Sequence, residues 1–118
     1  MTTKDFENVP QQIQSKVGIP IKPMLSKSIK GINEVLERFN GINFTCEYKY
    51  DGMRGQIHFN RAAANDIKIY SRNLEKMTLQ FPELPEQIIP AINDDVENFI
   101  IDTEIVAFEP LTNKFLPF

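Results

Sequence analysis

The chain has 118 residues, enough for one small domain or part of one, and 42% of them are hydrophobic, which supports a modest core. Its single cysteine, Cys46, excludes an intramolecular disulfide and a metal centre built from several cysteines, and this usage fits a reducing compartment. With 13 basic and 16 acidic residues the net charge is −3, which argues against tight nucleic-acid binding by this chain alone. No apolar run reaches the length of about 18 residues that spans a bilayer, so we expect no membrane partner.

For about the first 42 residues, the sequence pattern predicts a tail followed by one helix. Residues 1–16 are polar and poorly periodic, and we expect a loose tail or the end of a linker there. The i, i+3, i+4, i+7 spacing of an amphipathic helix follows at Ile32, Val35, Leu36 and Phe39. We therefore place a helix at residues 31–40, ended near Asn40-Gly41.

Three strands are predicted after this helix, at residues 43–50, 53–59 and 66–71, with residues 61–65 as a connection. The Asp51-Gly52 pair is a strong tight-turn signal, so we expect the first two strands to form a hairpin. Cys46 falls on the face of the first strand opposite Lys49, and we expect it to be a buried packing residue.

Prolines limit the regular structure predicted for the next segment. Pro82, Pro85 and Pro90 leave room only for a short helix at residues 86–89. An apolar strand is predicted at residues 98–108 and a turn at residues 111–114. The whole pattern predicts an α+β fold, a mostly antiparallel sheet with flanking helices.

A charged pattern marks the first predicted strand and its turn. Alternation in an extended chain puts Glu47, Lys49 and Asp51 on one face. A second polar face follows the turn, formed by Arg54, Gln56 and His58. Two polar faces can therefore lie side by side, although a solvated strand face with no function has the same pattern.

A lysine in an anion pocket can act as a nucleophile. Its amine, once deprotonated, attacks phosphorus and forms a P–N bond that is cleaved easily after the nitrogen is protonated again. A free lysine has a pKa near about 10.4, and the neighbouring carboxylates Glu47 and Asp51 favour its charged form. A metal ion, Arg54 or another cation must therefore oppose them.

Two further groups of residues have chemistry to offer. Asp102 and Glu104 share one face of the apolar strand at residues 98–108, where carboxylates are rarely buried without a partner, so we expect them to face a ligand. Arg72, at the end of the strand at residues 66–71, is by its position alone a surface cation. His58 is the only histidine, and we assign it no catalytic role.

Residues 47–54, Glu-Tyr-Lys-Tyr-Asp-Gly-Met-Arg, resemble motif I of the ATP-dependent DNA ligases, E-x-K-x-D-G-x-R. The longer stretch at residues 44–58 is most similar to the eukaryotic DNA ligase I branch. Three more segments resemble the family in order and spacing, and the resemblance covers nearly all of residues 17–118. They are residues 18–25, which in the family help to wall the nucleotide pocket, residues 69–73, similar to motif Ia, and residues 100–107, similar to motif III.

The resemblance implies a role for each matching residue. Lys49 would attack the α-phosphorus of ATP, release pyrophosphate and carry AMP as a phosphoramidate. Glu47 would accept a hydrogen bond from the adenine amino group, while Arg54 and Glu104 would hold the ribose and Arg72 would meet the phosphate or the DNA end. Glu104 is also the expected contact for Mg²⁺. Asp51 and Gly52 would shape the turn that presents Lys49.

The resemblance also implies a wider setting. Residues 17–118 would be the N-terminal part of a ligase adenylation domain, a partial ATP-grasp-like nucleotidyltransferase domain that requires later motifs and an OB-fold. The parent protein would seal nicked double-stranded DNA in the nucleus during replication, repair and recombination. Because those later motifs supply much of the stabilisation of the α-phosphate, we expect residues 1–118 alone to be weakly active or inactive.

Two alternatives remain open at this point. An mRNA capping guanylyltransferase has a similar lysine motif and would prefer GTP to ATP. A non-catalytic interaction module would keep the sheet without nucleotide chemistry, and replacing Lys49 would then change none of its binding properties.

Overall fold

The computed structural model describes residues 15–117, so most of the tail expected at residues 1–16 lies outside the described part. The described residues form two short α-helices, five strands and three 3₁₀ turns. The helices are α1 (Ile32–Arg38) and α2 (Glu83–Ile88), and the strands are β1 (Met53–Asn60), β2 (Asp66–Ser71), β3 (Asn98–Ile105), β4 (Phe108–Glu109) and β5 (Lys114–Phe115). The 3₁₀ turns are Arg61–Ala63, Thr78–Gln80 and Ile89–Ala91.

The principal sheet has three strands in the order β2-β1-β3, and both pairings are antiparallel. A separate antiparallel pair, β4 and β5, follows it in the chain. This arrangement confirms the predicted α+β class with an antiparallel sheet. The strands predicted at residues 53–59 and 66–71 are present, and the turn predicted at residues 111–114 joins β4 to β5.

The two faces of the sheet differ in chemistry, as the alternation along β1 predicts. One face is apolar and packs against the segment that contains α2 and the 3₁₀ turns Thr78–Gln80 and Ile89–Ala91. Its buried cluster consists of Ile57, Phe59, Ile67, Ile69 and Met77. The other face is polar, and it carries Arg54, Gln56 and His58 on β1 beside Tyr70 and Lys68 on β2. Two of the functional candidates, Arg54 and Glu104 opposite it on β3, therefore lie on the polar face.

The prediction of a strand at residues 43–50 is wrong. These residues are exposed and irregular, and the described sheet gives them no strand partner. The predicted hairpin with β1 cannot form here because β2 and β3 occupy both edges of β1. Cys46, expected to be a buried packing residue, is exposed, since the strand face that would have buried it does not exist.

The other differences are shifts of element boundaries. The predicted strand at residues 98–108 is divided, with β3 ending at Ile105 and β4 beginning at Phe108. Helix α2 begins earlier than the helix predicted at residues 86–89. Pro85 is tolerated because it lies in the first turn, where backbone N–H groups have no partner within the helix. None of the helices within residues 15–117 is both long and apolar enough to cross a membrane.

Candidate functional site

A cavity of about 660 Å³ opens where the exposed segment around Lys49 meets the sheet. Four cationic side chains line it, Lys49, Arg54, Arg72 and Lys76, together with three carboxylates, Asp51, Glu75 and Glu104. Four of the five residues singled out from the sequence are thus brought to one cavity. Glu47, the fifth, is exposed and is not among its lining residues.

The ends of three adjacent strands position the principal groups. Arg54 is the second residue of β1, and it lies directly opposite Glu104 near the end of β3. Directly opposite residues of an antiparallel pair project from the same face with neighbouring Cβ atoms. Arg72 follows the last residue of β2. The antiparallel topology therefore brings residues that are far apart in sequence together at one end of the three strands.

The turn after β2 fixes the backbone around Arg72. The Ser71 hydroxyl oxygen accepts hydrogen bonds from the amides of Asn73 and Glu75, each at 3.2 Å. The Ser71 amide donates to the Glu75 carbonyl at 2.9 Å, and Leu74 has a φ of 68°. Arg72 is consequently presented by a hydrogen-bonded turn, which its position at a strand end did not by itself indicate.

Arg54 is held by Asp102. The sequence predicted the face of the strand on which Asp102 lies but not its pairing with Arg54. The Nε of Arg54 donates to Oδ1 of Asp102 at 2.8 Å, and its second nitrogen, Nη2, donates to Oδ2. This bidentate hydrogen bond raises the pKa of Arg54 and lowers the pKa of Asp102 below its ordinary value. Arg54 is therefore a fixed, permanently charged group at the cavity.

Gly52 allows the Lys49 segment to approach β3 closely. A Cβ atom at this position would collide with the backbone carbonyl of Ile105 and lie 3.2 Å from Cγ of Glu104. The φ of Gly52 is outside the left-handed region, so close approach rather than backbone freedom requires glycine here. The sequence indicated a turn at Asp51-Gly52, whereas the structure shows a bend packed against the neighbouring strand.

None of residues 18–25, predicted to wall the nucleotide pocket, is among the lining residues of the main cavity, but residues 18–23 lie beside its arginines. Ile21 and Pro23 border a small depression together with Arg54, Arg72 and Asp102. We call residues 18–23 the wall segment. His58, which we expected to have no catalytic role, contacts this segment and not the main cavity.

The donor set for a metal ion is small. Within residues 15–117 no group of three or more histidine, cysteine, aspartate or glutamate side chains is arranged to share an ion. Asp102 is hydrogen-bonded to Arg54, and of the three carboxylates that line the cavity Glu104 is the one on the sheet, opposite Arg54. One carboxylate fits Mg²⁺, which commonly takes one or two protein carboxylates and completes its shell with water and substrate phosphates.

Fold and site together define an α+β domain in which a lysine and two arginines line one cavity. The family model described as the ATP dependent DNA ligase domain matches residues 23–118. The chain therefore belongs to the ATP-dependent DNA ligase domain family.

Individual relatives agree with the family match. The chain is 46% identical over 113 residues to DNA ligase 1 of Saccharomyces cerevisiae, covering 94% of this chain and 14% of that protein. It is 43% identical over 113 residues to DNA ligase 1 of Dictyostelium discoideum, covering 96% and 9% respectively. A DNA ligase of Caldivirga maquilingensis is 39% identical over 112 residues, covering 95% and 18%. The chain thus spans less than a fifth of the length of these relatives.

Proposed function

We propose that this chain forms part of an ATP-dependent DNA ligase and that Lys49 is its nucleophile. In this reaction the deprotonated Nζ of Lys49 forms a bond to the α-phosphorus of ATP, the bond from that phosphorus to the bridging oxygen breaks, and pyrophosphate leaves. AMP is then transferred to the 5′-phosphate of nicked DNA, and attack by the 3′-hydroxyl forms the phosphodiester and releases AMP. The observation that carries the proposal is the convergence of Lys49, Arg54 and Arg72 on one cavity of a ligase-family chain.

The cations of the cavity have distinct proposed roles. Arg72, at the hydrogen-bonded turn after β2, meets the phosphate or the DNA end. Arg54 is held by Asp102 and, with Glu104 opposite it in register, contacts the ribose. Lys49 lines the same cavity as these arginines and attacks in its deprotonated form.

Glu47 is proposed to accept a hydrogen bond from the adenine amino group. Because it lies outside the cavity lining in the structure, this role requires the exposed segment at residues 43–50 to rearrange when the nucleotide binds. Glu104 is proposed as the protein ligand of Mg²⁺, and a bound ion would offset negative charge on the nucleotide phosphates.

The wider assignment follows from family membership. We propose that residues 17–118 are the N-terminal part of an adenylation domain, within an ATP-grasp-like nucleotidyltransferase fold. We also propose that the whole protein seals nicks in nuclear DNA in replication, repair and recombination. The relatives from yeast and Dictyostelium are named DNA ligase 1, which supports this proposal.

Intact-mass spectrometry after incubation with ATP, Mg²⁺ and inorganic pyrophosphatase tests the first step. We expect a slow gain of one AMP, because three carboxylates offset most of the charge of the four cations in the cavity. Peptide mapping should place the adduct on Lys49. Lys49→Ala should remove it, and the matched control Lys27→Ala, at an exposed position outside the cavity, should retain it.

The same experiment with GTP in a parallel incubation, together with an ATP-binding titration, separates the alternatives. A GMP adduct in preference to an AMP adduct would favour a capping guanylyltransferase. An adduct on another lysine would overturn the role of Lys49. If no adduct forms and Lys49→Ala leaves ATP binding unchanged, the chain is a binding module and the proposed first step is wrong for it.

A further inference from the structure

Three side chains of the polar face hold the backbone of the wall segment by hydrogen bonds. The amide of Gly18 donates to Nδ1 of His58 at 2.9 Å, and the carbonyl of Gly18 accepts from the Tyr70 hydroxyl at 2.8 Å. Gln56 bonds both backbone groups of Ile21, accepting at Oε1 from the amide at 2.7 Å and donating from Nε2 to the carbonyl at 3.0 Å. Side chains thus satisfy four backbone groups that a neighbouring strand would otherwise bond.

These contacts determine the hydrogen positions of the network. Because Nδ1 of His58 accepts from Gly18, the ring must be neutral and its hydrogen must be on Nε2. That nitrogen lies 2.9 Å from Oε1 of Gln56, to which it donates. The amide of Gln56 is oriented by Ile21 in the same sense. The tautomer with its hydrogen on Nε2 is therefore compatible with all five hydrogen bonds of the network.

The surroundings of His58 favour this neutral form. The side chain is 1% exposed, and its ring packs edge-on against Tyr70 with centroids 4.9 Å apart. Burial and the nearby cation of Lys68 lower the pKa of His58. Lys68 lies opposite His58 on β2 and is paired with Asp66 at 2.9 Å, while the residue opposite on β3 is the uncharged Ile100.

We propose that His58, Gln56 and Tyr70 are positioning residues for the nucleotide pocket, holding residues 18–21 so that Ile21 and Pro23 stay beside Arg54 and Arg72 in the small depression next to the main cavity. We call the three residues the backbone clamp. The expected effect on nucleotide affinity rests on the proposed function, whereas the clamp itself is a property of the free chain. Protonation of His58 removes its acceptor and opens the clamp.

The geometry of the wall segment explains why it needs such a clamp. Gly18 has a φ of 89° in a turn in which the amide of Ile19 bonds to the carbonyl of Lys16. Beyond this turn, Ile21 is an exposed apolar residue, and its backbone bonds only the side chain of Gln56 among the hydrogen bonds of residues 15–117. A segment with so few other attachments detaches when the clamp is removed.

NMR on the free chain tests the clamp directly. Long-range ¹⁵N spectra at pH 7.5 should show a neutral imidazole with its hydrogen on Nε2. His58→Phe and Tyr70→Phe should each accelerate amide exchange at Gly18 by about fivefold, the effect of losing one hydrogen bond. Gln56→Met should do the same at Ile21. Tyr48→Phe, the same change at a 91% exposed side chain, and Gln87→Met on the exposed side of α2 are the matched controls.

Titration with ATP then tests the positioning role. The clamp variants should bind ATP about three- to tenfold more weakly, because only molecules with the wall segment in place are competent to bind. The adduct yield at saturating ATP should be unchanged. Wild-type affinity should also fall as the pH is lowered through the pKa of His58, and this pH dependence should be absent from His58→Phe.

The outcomes separate this inference from the proposed function. An Nδ1–H tautomer, or exchange rates at Gly18 and Ile21 that match the controls, would overturn the clamp whatever the nucleotide does. Faster exchange with unchanged ATP affinity would overturn the positioning role and leave the ligase proposal intact. If wild type binds no ATP, the proposed function fails for this chain, and the tautomer and exchange data alone decide whether the clamp exists.

Discussion

The most informative single substitution is Gly52→Ala, because it adds one methyl group where the Lys49 segment meets β3. The new Cβ would collide with the carbonyl of Ile105, which is backbone and cannot rotate away. Relief requires the bend to move, and it would strain the Met53–Ile105 end of the sheet. Overpacking of this kind costs about 1–3 kcal/mol. Reduced freedom of the unfolded chain offsets about 0.4–1 kcal/mol, so the net loss should be centred near about 1.3 kcal/mol.

Urea denaturation followed by circular dichroism measures this loss in the free energy of unfolding. Gly31→Ala is the matched control, because a Cβ there meets nothing within 4 Å and the φ of 179° suits any residue. Gly31→Ala should lose a little stability at the N-terminus of α1 and gain a little from reduced freedom of the unfolded chain, and the two effects oppose each other. Because Lys49 is three residues from the bend, Gly52→Ala should also slow formation of the AMP adduct. Unchanged stability of Gly52→Ala would refute the close packing of Gly52 against β3.

Three further predictions concern the core, the arginine pair and pH. Ile69→Ala, at a side chain with 0% exposure, should lower the free energy of unfolding by about 2–5 kcal/mol, while Ile42→Ala at an exposed position should change it by less than about 0.5 kcal/mol; equal effects in urea melts would contradict the assigned core. A double-mutant cycle with Arg54→Ala and Asp102→Ala should give a coupling energy below about 1 kcal/mol that shrinks with added salt. The reason is that the two side chains are 30% and 48% exposed, so solvent screens the ion pair. A coupling energy that does not depend on salt would argue against this screening. Folding lowers the pKa of His58, so its contribution to stability is full above the unfolded pKa of about 6.5 and is lost as the pH falls toward the folded pKa. The free energy of unfolding of wild type should therefore fall between about pH 7.5 and 5.5 in urea denaturation, and His58→Phe should lack this slope. An identical slope in both proteins would disprove the assignment.

The strands that the sequence predicted correctly are those whose alternation reflects burial on one face. In β1, Ile57 and Phe59 are buried in the core while Arg54 and Gln56 lie on the polar face, so period 2 is visible in the residues themselves. Residues 43–50 alternate equally well, yet they form no strand in the described sheet. Alternation reports the two faces of a possible strand, but a strand also needs a partner, and sheet order is a non-local property.

The site shows the same division between local and non-local information. Lys49, Arg54, Arg72 and Glu104 were recognisable because a motif and its spacing carry them, and all four line the cavity. Their detailed roles remain predictions. The bond between Arg54 and Asp102 was not foreseeable, because it depends on the register of β1 against β3, which are 48 positions apart at that contact.

The backbone clamp was missed for a different reason. His58 is the single histidine, and as one residue on an alternating strand it gives no signal of a partner. Its partner is the backbone of Gly18, 40 positions earlier, and a backbone group has no sequence identity to detect. A turn glycine in the wall segment, together with polar residues on the facing strand, is the pattern that would have indicated the contact.

Because Arg54 pairs with Asp102, the carboxylate of Glu104 has no ion-pair partner among the described residues. Strand register places Arg54 opposite Glu104, and a direct ion pair between them would occupy both groups. Arg54 instead bonds Asp102 through two nitrogens, and Glu104 has no ion pair or side-chain hydrogen bond among residues 15–117. Glu104 is therefore a half-buried carboxylate at the cavity whose oxygens are free to accept a hydroxyl hydrogen or a cation. We therefore expect Asp102→Ala to shift Arg54 toward Glu104 and to weaken binding of any ligand that Glu104 accepts.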